Sequence, residues 1–194
     1  MHGLLLTGGR SSRMGGDKAL MTVGGVDLAE RVATALLGIA DPVWVAGPLP
    51  IHGLEAVADP GRGPLVALVA AWQRLTAQGH KGSVLLAACD LPFVTSEFFG
   101  FLVDNLGDAD AVCPVADGRD QPLAACYAPA ALRQAQHLLE EGEDSMRSLL
   151  AAIRVRRIPE SEWQVVAPAV ALMDVDTPEE LAAARRIAAR ERTI

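Results

Sequence analysis

The chain has 194 residues, is 51% hydrophobic and 4% aromatic, and carries a net charge of -7 from 17 Lys plus Arg against 24 Asp plus Glu. This length and composition exclude a disordered protein and predict one domain over residues 1–194, because such a chain buries roughly 70% of the surface that its unfolded form exposes. The negative charge repels polyanions, so it excludes a general nucleic-acid-binding protein.

The cysteine and histidine residues show no pattern of a disulfide framework or a metal centre. The cysteines are odd in number and lack Cys-x-x-Cys spacing, which argues against both a disulfide-stabilised fold and a zinc site. The histidines are scattered without ligand spacing, and we expect them at the surface or in loops. These residues are Cys89, Cys113, Cys126, His2, His52, His80 and His137.

The chain start and the hydropathy pattern predict a cytoplasmic protein without membrane contact. The first residues lack a basic region ahead of a long apolar run, as a signal peptide would have. No later segment reaches the roughly 18 consecutive apolar residues that a membrane span requires.

The apolar pattern predicts strands and helices that alternate along most of the chain. Short apolar runs that end at Gly, Pro or Asp indicate buried strands, and apolar residues at helical spacing indicate helices. In chain order the predicted elements are a strand over 3–7, a helix over 27–39, strands over 43–46 and 54–58, a helix over 64–77, a strand over 83–88, a helix over 95–106, strands over 111–115 and 123–127, helices over 129–140 and 145–153, strands over 154–158 and 170–173, and a helix over 178–192. The stretch over 163–168 has no regular pattern.

This alternation predicts a three-layer α/β/α, Rossmann-like fold in which helices cover both faces of a mostly parallel sheet. The turn signal Asp117-Gly118 between two strands predicts a hairpin insertion. Thr177, Pro178 and Glu180 match a capping box at the start of the last helix. The basic residues of the strand over 154–158 predict an edge strand of the sheet.

A glycine-rich segment with three basic side chains, residues 8–18, follows the first predicted strand. Glycines let backbone N–H groups approach phosphate oxygens, and Arg13 and Lys18 can neutralise the phosphate charge. The segment contains no Gly-x-Gly-x-x-Gly fingerprint, and Asp17 before Lys18 with Ala19 after it excludes a Walker A loop. A solvent-exposed glycine-rich linker is the alternative interpretation.

Carboxylates follow two other predicted strands. Asp90 comes directly after the strand over 83–88, and Asp174 and Asp176 follow the strand over 170–173. In such sheets ligands bind beyond the carboxyl ends of the strands, and Mg²⁺ takes one or two protein carboxylates together with waters and substrate phosphates. Each carboxylate could instead form a turn or cap a helix. Together with the glycine-rich segment they indicate metal-assisted chemistry on a nucleoside triphosphate.

The residues Leu6-Thr7-Gly8-Gly9-Arg10-Ser11-Ser12-Arg13-Met14-Gly15-Gly16-Asp17-Lys18-Ala19-Leu20 closely resemble the N-terminal signature of the molybdenum cofactor guanylyltransferases, a MobA-like branch of the nucleotidyltransferases. Later motifs resemble those of the same family in the same order. They are Gly63-Pro64-Leu65, Cys89-Asp90-Leu91-Pro92-Phe93, Gly118-Arg119-Asp120-Gln121-Pro122-Leu123 and Asp174-Val175-Asp176-Thr177-Pro178-Glu179-Glu180-Leu181. The resemblance spans nearly the whole chain and implies the Rossmann-like nucleotidyltransferase fold.

The resemblance also implies a reaction: transfer of GMP from GTP to molybdenum-bearing molybdopterin, with release of pyrophosphate and formation of the molybdopterin guanine dinucleotide cofactor. GTP and molybdenum-molybdopterin are then the substrates, Mg²⁺ is the cofactor, and molybdenum-insertion proteins and apo-molybdoenzymes are transient partners. The attacking phosphate of molybdopterin is already anionic near pH 7, so no general base is needed. Catalysis then rests on charge neutralisation and positioning.

The resemblance assigns roles to residues of this chain. It implies that the backbone of Leu6, Thr7, Gly8 and Gly9 binds the nucleotide and that Asp59 lies in the nucleotide pocket. It implies catalytic roles for Arg13, Lys18 and Asp90, with Lys18 bound to the phosphates and Asp90 to Mg²⁺, and Asp176 is a second metal candidate. Arg119 and Gln121 are implied to bind the acceptor. Thr7 replaces the usual Ala of the family and is expected to place a hydroxyl near the phosphates.

Two alternatives stay open. The segment over 45–48 lacks an Asn found near the guanine in some members, so a sister enzyme that transfers CMP from CTP, or another small nucleotidyltransferase, is one alternative. A non-catalytic nucleotide-binding or cofactor carrier protein is the other. Such a carrier would keep the glycine-rich segment without the metal carboxylate, and Asp90 argues against it.

Overall fold

Apart from the stretch over 170–173, the predicted strands and helices form in the predicted order. The structure, a computed structural model, describes residues 1–8 and 18–191. The strands are β1 (His2–Leu6), β2 (Thr22–Val23), β3 (Val26–Asp27), β4 (Val43–Ala46), β5 (Glu55–Val57), β6 (Val84–Ala88), β7 (Ala111–Ala116), β8 (Arg119–Asp120), β9 (Ala124–Tyr127) and β10 (Val155–Ile158). The helices are α1 (Leu28–Leu37), α2 (Pro64–Ala77), α3 (Ser96–Asp104), α4 (Pro129–Glu140), α5 (Met146–Ala152), α6 (Glu160–Trp163) and α7 (Pro178–Glu191), and a single 3-10 turn spans Lys18–Leu20.

The main sheet has the strand order β10-β7-β9-β6-β1-β4-β5, and β8 pairs with β7. β1 lies in the centre and pairs in parallel with β4 and β6. The pairs β4–β5 and β7–β10 are also parallel, whereas β9 runs antiparallel to both β6 and β7. The prediction of a mostly parallel sheet with a hairpin insertion is therefore confirmed.

The hairpin turns at the predicted Asp117-Gly118 pair. Both residues have positive φ, 49° at Asp117 and 69° at Gly118. Positive φ at both central residues is typical of the tight turn whose twist matches that of antiparallel strands, and Asp-Gly is a preferred pair there. The turn pairs β8 with the end of β7 before the chain continues into β9.

Helices cover both faces of the sheet, as predicted. Successive side chains of a strand point to opposite faces, and in β1 Leu5 packs with the α1 and α3 side whereas Leu4 and Leu6 pack with the α2, α4 and α5 side. Leu4 and Leu5 are fully buried. The sheet is thus the middle of three layers, and one hydrophobic core lies between it and the helices on each face.

A smaller third core lies beside the end of β6 and is called here the satellite cluster. It joins β2, the loop after β6 and the start of α7, and consists of Val23, Leu28, Phe93, Val175, Leu181, Ala184 and Ala188. The cluster brings together segments that are far apart in the chain and that carry the predicted site residues.

Helix ends form where local signals predict them. Thr95 caps α3 by accepting a hydrogen bond from Phe98 N at 3.2 Å. At the start of α7, Glu180 N donates to Thr177 Oγ1 at 3.2 Å while Thr177 N donates to Glu180 Oε2 at 2.8 Å, which confirms the capping box. β10 lies at one end of the sheet order, which confirms the predicted edge strand.

The predicted strand over 170–173 is wrong. The chain forms turns there, with Ala171 N bonded to Pro168 O at 2.8 Å and Met173 N bonded to Val170 O at 2.9 Å. Ala171 and Leu172 are still buried against the main core. A run of four apolar residues indicates burial, but it is too short to distinguish a strand from a buried turn.

The expectation that the histidines lie at the surface or in loops is wrong for His2. It lies in β1 and is only 7% exposed, and its ring stands 4.8 Å from that of His80, centroid to centroid. Burial lowers the pKa of His2, and the nearby amino terminus and His80 add to the effect. The strand begins one residue before the predicted range over 3–7 and therefore includes His2.

Cys89, Cys113 and Cys126 are all buried, and burial raises the pKa of the Cys113 and Cys126 thiols to about 12. No helix within the described ranges is long and apolar enough to cross a membrane.

Candidate active site

The carboxyl ends of four parallel strands meet at one edge of the sheet. Leu6 at the end of β1 stands opposite Ala46 of β4 on one side and Ala88 of β6 on the other. Ala46 in turn stands opposite Val57 of β5. The residues that follow these strand ends therefore lie at a common edge, where ligands of such sheets bind.

Lys18, Asp90 and Asp176 form the charged centre of this edge. Lys18 Nζ lies 2.8 Å from Asp90 Oδ2 and also donates a hydrogen bond to Asp176 Oδ1. The Lys18 side chain is 12% exposed, the Asp90 side chain 25% and the Asp176 side chain 57%. Three residues that the sequence nominates separately thus meet, with both carboxylates bound to the Lys18 ammonium group.

The charges of this centre stabilise one another. Burial opposes the charged form of Lys18, but the negative charge of Asp90 and hydrogen bonds to Asp176 and Asp90 outweigh it and raise the pKa of Lys18. Desolvation raises the pKa of Asp174, and the charges of Asp176 and Asp90 add to the effect. Asp174 therefore shares the negative field of the centre, and Lys18 stays protonated well above neutral pH.

A backbone hydrogen bond joins the segment before α7 to the end of β6. Val175 N donates to Asp90 O at 3.0 Å, and the Val175 side chain lies in the satellite cluster. Asp176 N donates to Glu180 Oε2 at 2.7 Å and so belongs to the capped start of α7. These contacts, and not a strand at 170–173, bring Asp176 to Lys18.

The donor set fits a hard divalent cation. Carboxylate oxygens are the ligands that Mg²⁺ takes from proteins, in ones or twos, with water and substrate phosphate completing the octahedron. Asp90 and Asp176 supply two carboxylates that already point at one positive charge. Among residues 1–8 and 18–191 no group of three or more metal-ligating side chains forms a closed site, so a cation bound here would depend on substrate oxygens.

The Thr7 hydroxyl takes a different direction from the one expected. Thr7 is 4% exposed, and its hydroxyl faces the carbonyl oxygens of Ala46 at 3.4 Å and Leu49 at 3.5 Å. Thr7 N donates to Ala46 O at 2.8 Å. The side chain therefore holds β1 to the loop after β4 instead of facing a phosphate, because the following Gly8 is the residue that emerges into solvent.

Asp59 lies directly against Gly8. A methyl group added at Gly8 would stand 2.9 Å from Asp59 Oδ2. Asp59 Oδ1 accepts a hydrogen bond from Gly61 N at 2.8 Å, which is the local turn that Asp residues form. The structure thus brings together Leu6, Thr7, Gly8 and Asp59 of the predicted nucleotide site, whereas Gly9 and Arg13 lie outside the described residues.

Gly47 permits the close approach of two strand ends, and no pattern in the sequence indicates this role. Its φ is +136°, and a Cβ there would lie 2.4 Å from Thr7 Oγ1 and 2.6 Å from Gly8 N. Only a glycine accommodates both the backbone conformation and the contact.

We expect Gly47→Ala to destabilise the protein by about 1–3 kcal/mol through backbone strain and to raise the KM for nucleotide, because the methyl group displaces Gly8. Gly53→Ala is the matched control, since Gly53 has φ +82° and nothing within 4 Å of its added Cβ. Urea unfolding and nucleotide KM check both variants. Identical effects of the two variants on KM would contradict a role for Gly47 in placing Gly8.

The candidate acceptor residues lie along the same edge but away from Lys18. Arg119 is exposed, and Gln121 N donates to Pro114 O at 2.9 Å. The strands β6 and β9 separate β7 from β1, and three inter-strand spacings amount to roughly 14 Å. Among the described residues, no hydrogen bond or ion pair joins the side chain of Arg119 or Gln121 to Lys18, Asp90 or Asp176.

Two of the three arginines over 154–157 bind carboxylates. Arg154, just before β10, has its Nη2 3.3 Å from Asp110 Oδ1, and Arg157 within β10 has its Nε 2.9 Å from Asp120 Oδ1. These pairs join the edge-strand segment to its neighbours, so Arg154 and Arg157 are not free to bind an anion.

Comparison with protein families and curated proteins gives consistent matches. Residues 3–161 match the family model described as MobA-like NTP transferase domain. A protein of Pelotomaculum thermopropionicum named probable molybdenum cofactor guanylyltransferase is 31% identical over 198 residues, which cover 98% of this chain and 95% of the relative. A protein of Opitutus terrae with the same name is 36% identical over 180 residues, which cover 85% of this chain and 88% of the relative.

Solved structures share the fold. Molybdopterin-guanine dinucleotide biosynthesis protein A from Archaeoglobus fulgidus superposes with a TM-score of 0.81 at 22% identity, over 98% of this chain and 100% of that one. 2-C-methyl-D-erythritol 4-phosphate cytidylyltransferase from Thermus thermophilus superposes with a TM-score of 0.67 at 24% identity, over 96% and 98% of the two chains. These likenesses confirm the predicted fold class.

Proposed function

The chain belongs to the MobA-like NTP transferase family, and from this premise we propose that it transfers GMP from GTP to molybdenum-bearing molybdopterin and releases pyrophosphate. The product is the molybdopterin guanine dinucleotide cofactor. The chain is a nucleotidyltransferase, and relatives that match 98% and 85% of it are named for guanylyl transfer. This length of match supports residues 1–194 acting as one domain, and we propose that the domain acts in the cytoplasm.

The convergence of Lys18, Asp90 and Asp176 at the carboxyl edge is the structural observation that carries the proposal. Gly8 and Asp59 lie in contact at the same edge. A phosphate-binding cation, two carboxylates and an exposed glycine at strand ends are what nucleotidyl transfer requires. A carrier protein would have no need of the two carboxylates, so the geometry favours the enzyme.

In the proposed reaction an oxygen of the terminal phosphate of molybdopterin attacks the α-phosphorus of GTP. The bond from that phosphorus to the oxygen bridging the β-phosphate breaks, and pyrophosphate leaves with the electron pair. Because the nucleophile is already ionised near pH 7, the protein transfers no proton in this step. Its task is to hold the two phosphates in line and to offset their charge.

Residues of this chain divide that task. The exposed Gly8 backbone and Asp59 border the nucleotide, and the Lys18 ammonium contacts the phosphates. Asp90 and Asp176 would hold a metal ion, since family members typically use one. Bound there, Mg²⁺ would neutralise charge on the triphosphate. Arg119 and Gln121 would contact the acceptor. Arg13 is a further proposed contact to the phosphates.

The decisive experiment measures pyrophosphate release from GTP, CTP, ATP and UTP with Mg²⁺ and molybdenum-loaded molybdopterin. We expect release with GTP and formation of the guanine dinucleotide. Release with CTP alone would replace the guanylyl proposal by cytidylyl transfer. No release with any of the four nucleotides would favour the carrier interpretation. Transient contacts with molybdenum-insertion proteins and apo-molybdoenzymes stay a prediction that pull-down with those proteins would check.

A further inference from the structure

Arg31 in α1 contacts three groups that lie near the charged residues of the candidate site: two backbone carbonyls and one aromatic ring. Its Nε donates to Pro92 O at 2.8 Å, and its Nη1 donates to Val23 O at 3.2 Å. Its guanidinium carbon lies 5.9 Å from the centroid of the Phe93 ring, within the range of a cation–π contact. Neither sequence pattern nor family resemblance nominates this residue.

Each contact leads to one part of the charged centre. Pro92 follows Asp90 by two residues, and both Pro92 and the intervening Leu91 are buried. On the other side, Met21 N donates to Lys18 O at 3.1 Å, and Leu28 N donates to Met21 O at 2.9 Å, so the backbone from the Lys18 turn to Val23 is tied to the start of α1. A shift of either carbonyl would therefore be transmitted to Asp90 or Lys18.

The third connection runs through the satellite cluster. The Phe93 ring under the Arg31 guanidinium packs with Val175, and Val175 N donates to Asp90 O at 3.0 Å. Val175 directly precedes Asp176. One guanidinium thus contacts the segments that follow Lys18 and Asp90 directly, and it reaches the Asp176 segment through the Phe93 ring. Asp90 and Asp176 lie 72 and 158 residues after Lys18 in the chain.

The chemistry of the contact requires arginine. Pro92 and Val23 are buried, so their carbonyl oxygens need donors from the protein. No described carboxylate lies within salt-bridge distance of Arg31, so its function in this region is donation to the two carbonyls. The planar guanidinium holds its donors in a rigid fork while its flat face covers an aromatic ring, whereas the compact lysine ammonium has neither the fork nor a flat face.

We propose that Arg31 is a positioning residue that sets the distance between Lys18 and the carboxylates of Asp90 and Asp176. It touches no substrate. This inference rests on the proposed function for its kinetic consequence, because the spacing of the two carboxylates determines how well they hold a cation beside the triphosphate. Outer-shell partners of this kind act by orienting the ligands themselves.

The test compares Arg31→Met and Arg31→Lys with Arg74→Met. Arg74 of α2 is a matched control: its guanidinium carbon also lies 5.9 Å from an aromatic centroid, that of Trp44, and it makes a polar contact as well, to Glu55 at 3.0 Å. Arg74 lies in the last turn of α2, away from the strand ends of the site. Each variant replaces one arginine, and its melting temperature is measured beside its kinetics. A kinetic defect in Arg31→Met that exceeds that of an equally destabilised Arg74→Met then reports misplaced site residues and not lost stability.

We expect Arg31→Met to raise the Mg²⁺ concentration for half-maximal pyrophosphate release by about 10–100-fold, with a much smaller change in the KM for GTP. Arg31→Lys should keep most of this defect, since lysine replaces the charge but not the fork. Arg74→Met should leave the Mg²⁺ dependence unchanged. Unchanged Mg²⁺ dependence in Arg31→Met, full rescue by lysine, or an equal shift in Arg74→Met would each overturn the proposal.

A second measurement does not depend on turnover. Hydrogen exchange of the nucleotide-free protein should be faster in Arg31→Met than in the wild type over both 18–23 and 90–94, and unchanged there in Arg74→Met. If Arg31→Met and the wild type exchanged at the same rate over 18–23 and 90–94, the positioning role would also be overturned. If the wild type released no pyrophosphate from any nucleotide, the proposed function would fail, while the exchange result would still decide the role of Arg31.

Discussion

Asp90→Asn is expected to lower the turnover of GMP transfer by at least about 100-fold, the scale of loss when a preorganised electrostatic group is removed. The amide keeps the shape of the side chain but removes its negative charge. Lys18 then retains one carboxylate partner, Asp176, and a cation at the site loses its more buried ligand. The measurement is pyrophosphate release at saturating GTP and Mg²⁺ with loaded molybdopterin.

Asp110→Asn is the control for this change. Asp110 also accepts hydrogen bonds from a basic side chain, that of Arg154, and these bonds lower the pKa of Asp110. It precedes β7 and so lies at the opposite edge of the sheet from Asp90. We expect the control to keep normal turnover, and near-normal turnover in Asp90→Asn as well would refute the metal-binding role of Asp90.

Lys18→Ala is expected to weaken GTP binding far more than guanosine binding and to lower kcat/KM for GTP by about 100-fold. The variant removes the ammonium that we propose contacts the phosphates, and Asp90 and Asp176 lose the positive charge that they now bind. Because the pKa of Lys18 is raised, the wild-type ammonium stays charged above neutral pH, and the defect should be the same across the neutral range. Calorimetric titration with GTP and with guanosine measures both affinities.

Lys81→Ala removes a control charge from an exposed position before β6, at the opposite edge of the sheet. It changes the net charge by the same amount and should leave both affinities unchanged. Equal losses of GTP and guanosine affinity in Lys18→Ala would reject a phosphate contact and indicate a general collapse of the pocket.

The charge balance of the site explains how an acidic protein handles two anionic substrates. The net charge of -7 is a property of the whole chain, and at the site Lys18 supplies one positive charge beside Asp90 and Asp176. Asp174, whose pKa is raised by desolvation and by these neighbours, adds to the negative field. Lys18 alone therefore cannot offset a triphosphate, and the proposed divalent cation supplies the missing positive charge.

Local signals in the sequence determined most of the secondary structure. Helices α2 and α4 begin and end at the predicted residues, with Pro64 in the first turn of α2. The Asp117-Gly118 turn and the capping box of α7 also formed as predicted. These features depend on backbone conformations and hydrogen bonds within a few residues, so a short window of sequence contains the information.

The same local reasoning nominated Lys18, Asp90 and Asp176 but could not show that they meet. Their contact depends on the strand order of the sheet and on the satellite cluster, which joins segments up to 158 residues apart. The four residues at 170–173 show the limit: their burial was legible in the sequence, but their turn conformation was not.

Only the tertiary structure decided the roles of Thr7, Gly47 and Arg31. The Thr7 hydroxyl faces two carbonyls of a neighbouring strand end, Gly47 admits the close approach of Gly8, and Arg31 links backbones from two other segments. Arg31 lies three residues after the buried Leu28 and four before the buried Ala35, next to the buried face of α1. Sequence alone determined which residue types could bind nucleotide and metal, and the tertiary fold determined their spacing, because spacing is set by long-range contacts between backbones that no local pattern records.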